Sequence, residues 1–217
     1  MSTSASHCRF CAITSGDYAL GKADQPWLED ESHMALTSIG AMIEGWTLVT
    51  PRDHSLNLLS NYSSPAFHRF VAQAVARVSS AYGTCAIFEH GGQIEGSATN
   101  CGTSHAHLHV VPLNFLLQPL LPSFDRGLQW FDCAMSDLKR CVGKDEYLFA
   151  ANSYAGASTV GSACILRAGQ SQFFRRVIAE QLGCSEQSDY RTHPHLDKAV
   201  AGATRLSGLC DRLAEAA

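Results

Sequence analysis

At 217 residues, with 46% hydrophobic and 17% charged side chains, the chain can build one good-sized core, or a small domain with a substantial extension. That balance excludes a disordered chain, and a formal net charge of -4 gives no reason to expect non-specific nucleic-acid or membrane attraction. No apolar run approaches bilayer length, and the small, polar stretch Met1 to His7 lacks the basic and apolar regions of a secretory signal. Nine cysteines, odd in number and irregularly spaced, point to free thiols in a reducing cytoplasm, with a metal site as a candidate use for some of them.

In chain order, Thr47-Leu48-Val49-Thr50 reads as a strand stopped by Pro51. The clearest helix follows: Ser64 can cap it, Pro65 suits its first position and Gly83 closes it. Phe67, Phe70, Val71, Ala74, Val75 and Val78 recur at helical spacing and form a stripe to lay on a sheet. Thr84 to Phe88 reads as a strand ending before Gly91 and Gly92, and a Gly/Ser/Thr/Asn-rich loop, Gly91 to Thr103, leads into a strand from about Ser104 to Pro112. Beyond it, Gly127 to Cys141 looks helical, Tyr147 to Ala151 and Val160 to Arg167 look like strands, and Ser171 to Leu182 and Leu196 to Leu213 look helical. The sum is an α+β fold, an antiparallel sheet with helices packed on it. The part after residue 120 is either a second layer on the same core or a small appended domain.

His105-Ala106-His107-Leu108-His109 is the most informative stretch. Residues two apart on a strand face the same side, so the imidazoles form a row while Ala106, Leu108 and Val110 face the core. Packing alone does not put three imidazoles in line, because each needs a hydrogen-bond partner. Residues i and i+4 lie about 13 Å apart on a strand, too far to share one ion with bonds of about 2 Å. At least one imidazole is therefore left for other chemistry. Cys8-x-x-Cys11 is a second constellation, either a redox pair or half of a closed zinc site whose other ligands could be His54 and one end of the histidine row.

Together, Cys8-x-x-Cys11, Gly45-Trp46-Thr47-Leu48-Val49-Thr50-Pro51-x-x-His54 and His105-x-His107-x-His109 resemble the zinc-containing nucleotide-binding branch of the histidine-triad (HIT) superfamily over roughly residues 8 to 115. The segment Gln170 to Arg176 is similar to one found in longer bacterial members. The resemblance divides the chain into a histidine-triad domain, 1–120, and an extension, 121–217, packed on the same core. It implies that His107 attacks the α-phosphorus and carries the nucleotide covalently, that His109 contacts the phosphate and helps the leaving group, and that Cys8, Cys11, His54 and His105 hold a structural zinc. It also implies a homodimer. A neutral imidazole suits the attack, and a backbone carbonyl on its other nitrogen would fix the tautomer.

Asn100, Gly102, Thr103 and Ser104 are candidates to present N–H groups and hydroxyls to the phosphate. Three positions depart from the family pattern. Gly102 stands where Ser or Thr is usual, Ser38 where an acidic residue grips the ribose, and Trp46 where a histidine precedes Leu-Val-x-Pro. Leu36 and Ile39 would flank the base, and Glu89 is a candidate substrate contact. His193-Pro194-His195 reads as a solvated turn and Arg175-Arg176 as an exposed helix face within possible reach of phosphate. Cys85, Cys133, Cys141, Cys164, Cys184 and Cys210 read as small packing residues.

The expectation is a hydrolase of nucleoside phosphoramidates that releases AMP from an amine, aminoacyl or peptidyl group, toxins of that build included. A dinucleoside-polyphosphate hydrolase or nucleotidyl transferase is the first alternative. A non-catalytic nucleotide- or zinc-binding module is the second.

Overall fold

The computed structural model describes residues 8–215, with only the backbone given for 210–215. Met1 to His7 and the packing role expected of Cys210 lie outside the described residues. Among the described residues there are eight strands: β1 (Leu28–Glu29), β2 (His33–Thr37), β3 (Thr47–Pro51), β4 (Cys85–Gly91), β5 (Leu108–Pro112), β6 (Trp130–Ala134), β7 (Glu146–Ala151) and β8 (Val160–Leu166). They form one antiparallel sheet in the order β1-β2-β3-β5-β4-β7-β8-β6. The helices are α1 (Arg9–Thr14), α2 (Pro65–Tyr82), α3 (Leu121–Phe124), α4 (Leu138–Val142), α5 (Phe173–Gln181) and α6 (Leu196–Glu215). The fold is α+β.

The sequence dictates α2 closely. The Ser64 side chain accepts from the Phe67 N–H, Pro65 occupies the first turn, and Gly83 leaves the helix at φ +96°. Its stripe of Phe67, Val71, Ala74 and Val78 packs on Val49, Ile87, Leu108, Val110 and Phe149 from one face of the sheet. The opposite face, with Leu36, Leu48, Phe88, Val111 and Leu148, is covered by Phe10 and Ile13 of α1 and by Phe173, Phe174 and Ile178 of α5. That second face carries the site.

The structure changes three sequence expectations. First, the histidine-bearing strand begins at Leu108, not Ser104. Pro51 has no N–H for a ladder bond, and its carbonyl goes to the His105 ring instead. The preceding segment is held from the side, by Ala106 N–H on the Ser55 carbonyl and the Thr50 hydroxyl on the Ala106 carbonyl. The alternation survives there, because Ala106 still packs in the core with Leu108 and Val110. Second, Gly127 to Cys141 is not a helix. Trp130 to Ala134 pairs with β8, and helix is confined to a 3-10 turn at Met135–Asp137 and to Leu138–Val142; pairing with a free sheet edge overrides a weak local preference. Third, β2 was not anticipated, although all five of its residues are buried. Strands β7, β8 and β6, all from beyond residue 120, extend the same sheet from β4.

Candidate functional site

Cys8 caps the start of α1 and Cys11 lies one turn on, which brings both thiols to the end of the histidine segment. Their partners are His54 and His105, and one ligand atom from each of the four falls within 4.8 Å of the others. Cys8 Sγ lies 3.3 Å and Cys11 Sγ 3.6 Å from His105 Nδ1, and Cys11 Sγ lies 3.3 Å from His54 Nδ1. The edges of a zinc tetrahedron with sulfur and nitrogen ligands are about 3.6 Å, from bond lengths of about 2.3 and 2.0 Å. His105 Nε2 sits 2.9 Å from the Pro51 carbonyl. Donating its proton there leaves Nδ1 to the cluster, the outer-shell arrangement of a metal-bound histidine. Burial and the neighbouring Cys8 push the Cys11 thiol up to about 11, a shift that a divalent cation would reverse. The donor set fits zinc with no position left open.

His107, two residues on, is bonded differently. Its Nδ1 lies 2.8 Å from the His105 carbonyl, so Nδ1–H donates and the Nε2 lone pair is free. The half-buried ring lines a cleft of about 230 Å³. Burial holds its imidazole below the ordinary 6.5, with the Arg9 charge adding to the effect and the carbonyl opposing it. The ring is neutral at pH 7 and presents an unshared pair to the cleft.

His109 begins a third pattern. Trp46 Nε1 lies 2.9 Å from its Nδ1. An indole N–H can only donate, so Nδ1 accepts and the proton sits on Nε2. The ring stacks on Phe88 at 4.3 Å and approaches His107 at 4.8 Å. Burial, with His107 and His90 adjacent, holds it well below 6.5. His109 can therefore donate a hydrogen bond to a phosphate. Protonation at Nδ1 would set two N–H groups face to face, so the Trp46 indole opposes an imidazolium at His109.

The cleft is lined by Ser38, Ile39, Gly102, Thr103, His107 and His109 among the residues singled out from sequence. Four others lie elsewhere. Leu36 is fully buried in the core beneath the cleft, since alternation along β2 points it at Trp46 and Phe88. Asn100 and Ser104 brace the loop, Asn100 Nδ2 donating to the Ile94 carbonyl and to Ser104 Oγ, which also accepts from Gly96 N–H. Glu89 faces the opposite side of the sheet, where its carboxylate accepts from Tyr62 and Tyr147 hydroxyls, both at 2.6 Å, and from Leu58 N–H. Burial pushes it up to about 7 against those three donors. It is a core network, not a substrate contact.

The cleft also takes Arg9, Phe10, Leu48, His90, Cys101 and Tyr190, none of them a candidate from the sequence, and Arg175, which the sequence sets on a helix face within reach of phosphate. Alternation along β4 puts His90 on the face of Ala86 and Phe88, and the pairing of Phe88 with His109 makes that the face of the site. Arg175 was expected on an exposed helix face. It is 4% exposed, stacks over Trp46 at 4.9 Å and donates to the carbonyls of Ser188 and Gly40, while Arg176 is exposed as expected. The tail between α5 and α6 explains why: Tyr190 donates to the Cys101 carbonyl at 2.9 Å, and Pro194 accepts from Gly40 N–H. This segment lies directly on Gly102, where a Cβ would meet the Arg191 guanidinium and come within 3.1 Å of the Tyr190 hydroxyl. Glycine there, at φ +82°, makes room for the tail. No local signal in the sequence marks Tyr190.

No protein-family model and no curated protein matches the chain. Solved structures do, each over about half of it. A zinc-bound histidine triad family protein from Mycobacterium smegmatis matches at 31% identity, covering 50% of this chain and 76% of that one, with a TM-score of 0.37. A hypothetical histidine triad nucleotide-binding protein from Sulfolobus tokodaii matches at 21% identity, covering 48% and 68%, with a TM-score of 0.37. A Hit-like protein involved in cell-cycle regulation from Bartonella henselae matches at 20% identity, covering 48% and 74%, with a TM-score of 0.38.

Proposed function

We propose that the chain is a histidine-triad nucleotide hydrolase in which His107 Nε2 attacks the α-phosphorus, carries the nucleotide covalently and yields it to water as a monophosphate. The observation that carries this reading is the His107 ring, with its Nδ1 proton on the His105 carbonyl and its other nitrogen open to the cleft. Thr103 and the backbone at Gly102 lie against the phosphate site, where charge builds in the transition state. Ser38 and Ile39 take the nucleoside side. Zinc, held by Cys8, Cys11, His54 and His105, would brace the start of the histidine segment and supply no catalytic position. The chain would work as a homodimer in a reducing cytoplasm, where the eight described cysteines, all free, stay reduced.

Phosphoramidates are the leaving-group class that the sequence suggests, yet two observations favour the polyphosphate alternative. An amine must be protonated to depart, and Trp46 keeps His109 a neutral donor. Arg175 lines the cleft with its guanidinium on backbone carbonyls, and among the described residues no acidic side chain joins the lining. A departing polyphosphate needs no proton and is attracted to that charge. Side-by-side turnover of an adenosine 5′-phosphoramidate and a diadenosine polyphosphate tests this. Both should release AMP, the polyphosphate at the higher kcat/KM. A preference for the phosphoramidate would show that protons reach the amine despite Trp46. Turnover of neither would leave the non-catalytic binding module.

A further inference from the structure

His90 is 8% exposed, and neither ring nitrogen has a hydrogen-bond partner among the described residues. It is held by rings alone: Phe174 at 5.0 Å, Phe88 at 6.1 Å and His109 at 6.1 Å. A buried imidazole with both nitrogens unpaired costs stability, and such a group needs a reason. Its position supplies one. Strands β4 and β5 pair Ile87 with Val110 and Phe88 with His109. Two residues beyond that last pair, His90 follows Phe88 and His107 precedes His109, each on the site's face of the sheet. His90 also lines the cleft into which His107 opens.

We propose that His90 is a further catalytic residue, donating its N–H to a non-bridging oxygen of the phosphoryl group that His107 attacks. The inference rests on His107 being the nucleophile. Burial holds the His90 ring down to about 3, aided by the Arg175 and Arg176 guanidinium charges and by the neighbouring His107 imidazole, so it acts as a neutral donor and keeps its proton throughout. In the step, the His107 Nε2–phosphorus bond forms, the bond from phosphorus to the leaving group breaks, and the leaving group takes the electron pair. The hydrogen bond from His90 strengthens as charge gathers on the oxygen it touches. The ligand chemistry is that of a phosphate ester or anhydride, because among the described residues the ring meets no acceptor and the lining offers positive charge without carboxylates.

The test is His90→Phe, which keeps the ring contacts with Phe88 and Phe174 and removes both nitrogens, with His90→Gln as the variant that keeps a donor. Three readouts are taken: thermal melting of the ligand-free protein, AMP affinity by calorimetry, and kcat/KM on a diadenosine polyphosphate. His90→Phe should melt at or above the wild-type temperature, because an unpaired buried polar group has gone. AMP affinity should fall about tenfold or more and kcat/KM about 10- to 100-fold, the range for a lost hydrogen bond to a charged group, with partial recovery in His90→Gln. A lower melting temperature or misfolding in His90→Phe overturns the proposal, since the nitrogens would then serve the fold. Wild-type affinity and turnover in that variant overturn it while leaving His107 as the nucleophile. A wild-type protein that neither binds AMP nor turns over overturns both readings.

Discussion

The two ends of the histidine segment carry the same side chain at the same spacing, yet they are built for different work. At one end, His105 gives its Nε2 proton to the Pro51 carbonyl and turns Nδ1 to two thiols. In the middle, His107 gives its Nδ1 proton to the His105 carbonyl and turns Nε2 to the cleft. At the other end, His109 accepts at Nδ1 from an indole and turns an N–H outward. Each imidazole's use is set by the group that occupies its other nitrogen. On the proposed reading one ring is a metal ligand, one a nucleophile and one a neutral donor, and the three should fail independently when disturbed.

The largest effect should separate the first two. His107→Asn keeps the size and polarity of the position but removes the nucleophile. Turnover should fall by a factor on the order of 10³ or more, while metal analysis still finds one zinc per chain. Loss of zinc in that variant would break the distinction between the rings.

Cys8→Ala attacks the other end. Removing one of four ligands should empty the zinc site and lower the melting temperature, as expected of a structural metal coupled to folding. Activity should drop only as far as the segment loosens, by less than in His107→Asn. Chelation of the wild-type protein should reproduce the loss of stability. A freshly isolated protein with no zinc would contradict the four-ligand site.

Trp46→Phe sharpens the third role. Without the indole N–H, His109 is free to take a proton at Nδ1 and to offer an imidazolium. Total turnover should fall several-fold as the ring loses its anchor, but the ratio of phosphoramidate to polyphosphate turnover should rise about 100-fold, a general-acid contribution at the low end of the usual range. An unchanged ratio would mean that the tautomer does not govern the leaving group.

The smallest effect lies on the far face of the sheet. Burial raises the Glu89 carboxyl from the ordinary 4.5 to about 7. Between those values the folded chain holds a proton that the unfolded chain has released, so this group's contribution to stability falls as pH rises from about 4.5 to 7 and is level above. Glu89→Gln should flatten that slope in melting temperature against pH, without changing AMP affinity. A change in AMP affinity would return Glu89 to the site.

How much of this the sequence carried follows from the range of the interactions involved. The cap, first-turn proline and closing glycine of α2 are local signals, and they were read correctly. The face of the histidine row was legible from alternation, even though the ladder itself begins only at Leu108. Residue type alone left Cys8 and Cys11 either a redox pair or half of a zinc site completed by His54 and one end of the histidine row; the family resemblance implied the four-residue set that the fold brings together. Three other features depend on tertiary placement. Trp130 to Ala134 became a strand because β8 offered it an edge. Arg175 was drawn inward by carbonyls at residues 40 and 188 and by the ring of Trp46. Tyr190 reaches the cleft only because Gly102 and Gly40 carry no side chain to keep it out. Glu89 shows the complementary error, since counting along β4 gives its face only once Phe88 and His109 are known to be partners.

The most direct test of the division of labour is to ask which histidine carries phosphorus. The protein would be mixed briefly with a diadenosine polyphosphate, quenched, digested at a pH that preserves phosphoramidates, and mapped by tandem mass spectrometry. The account predicts an adenylyl group on His107, with His105 and His109 unmodified. Adenylylation of either neighbour with His107 bare, or no adenylylated peptide while AMP accumulates, would contradict it.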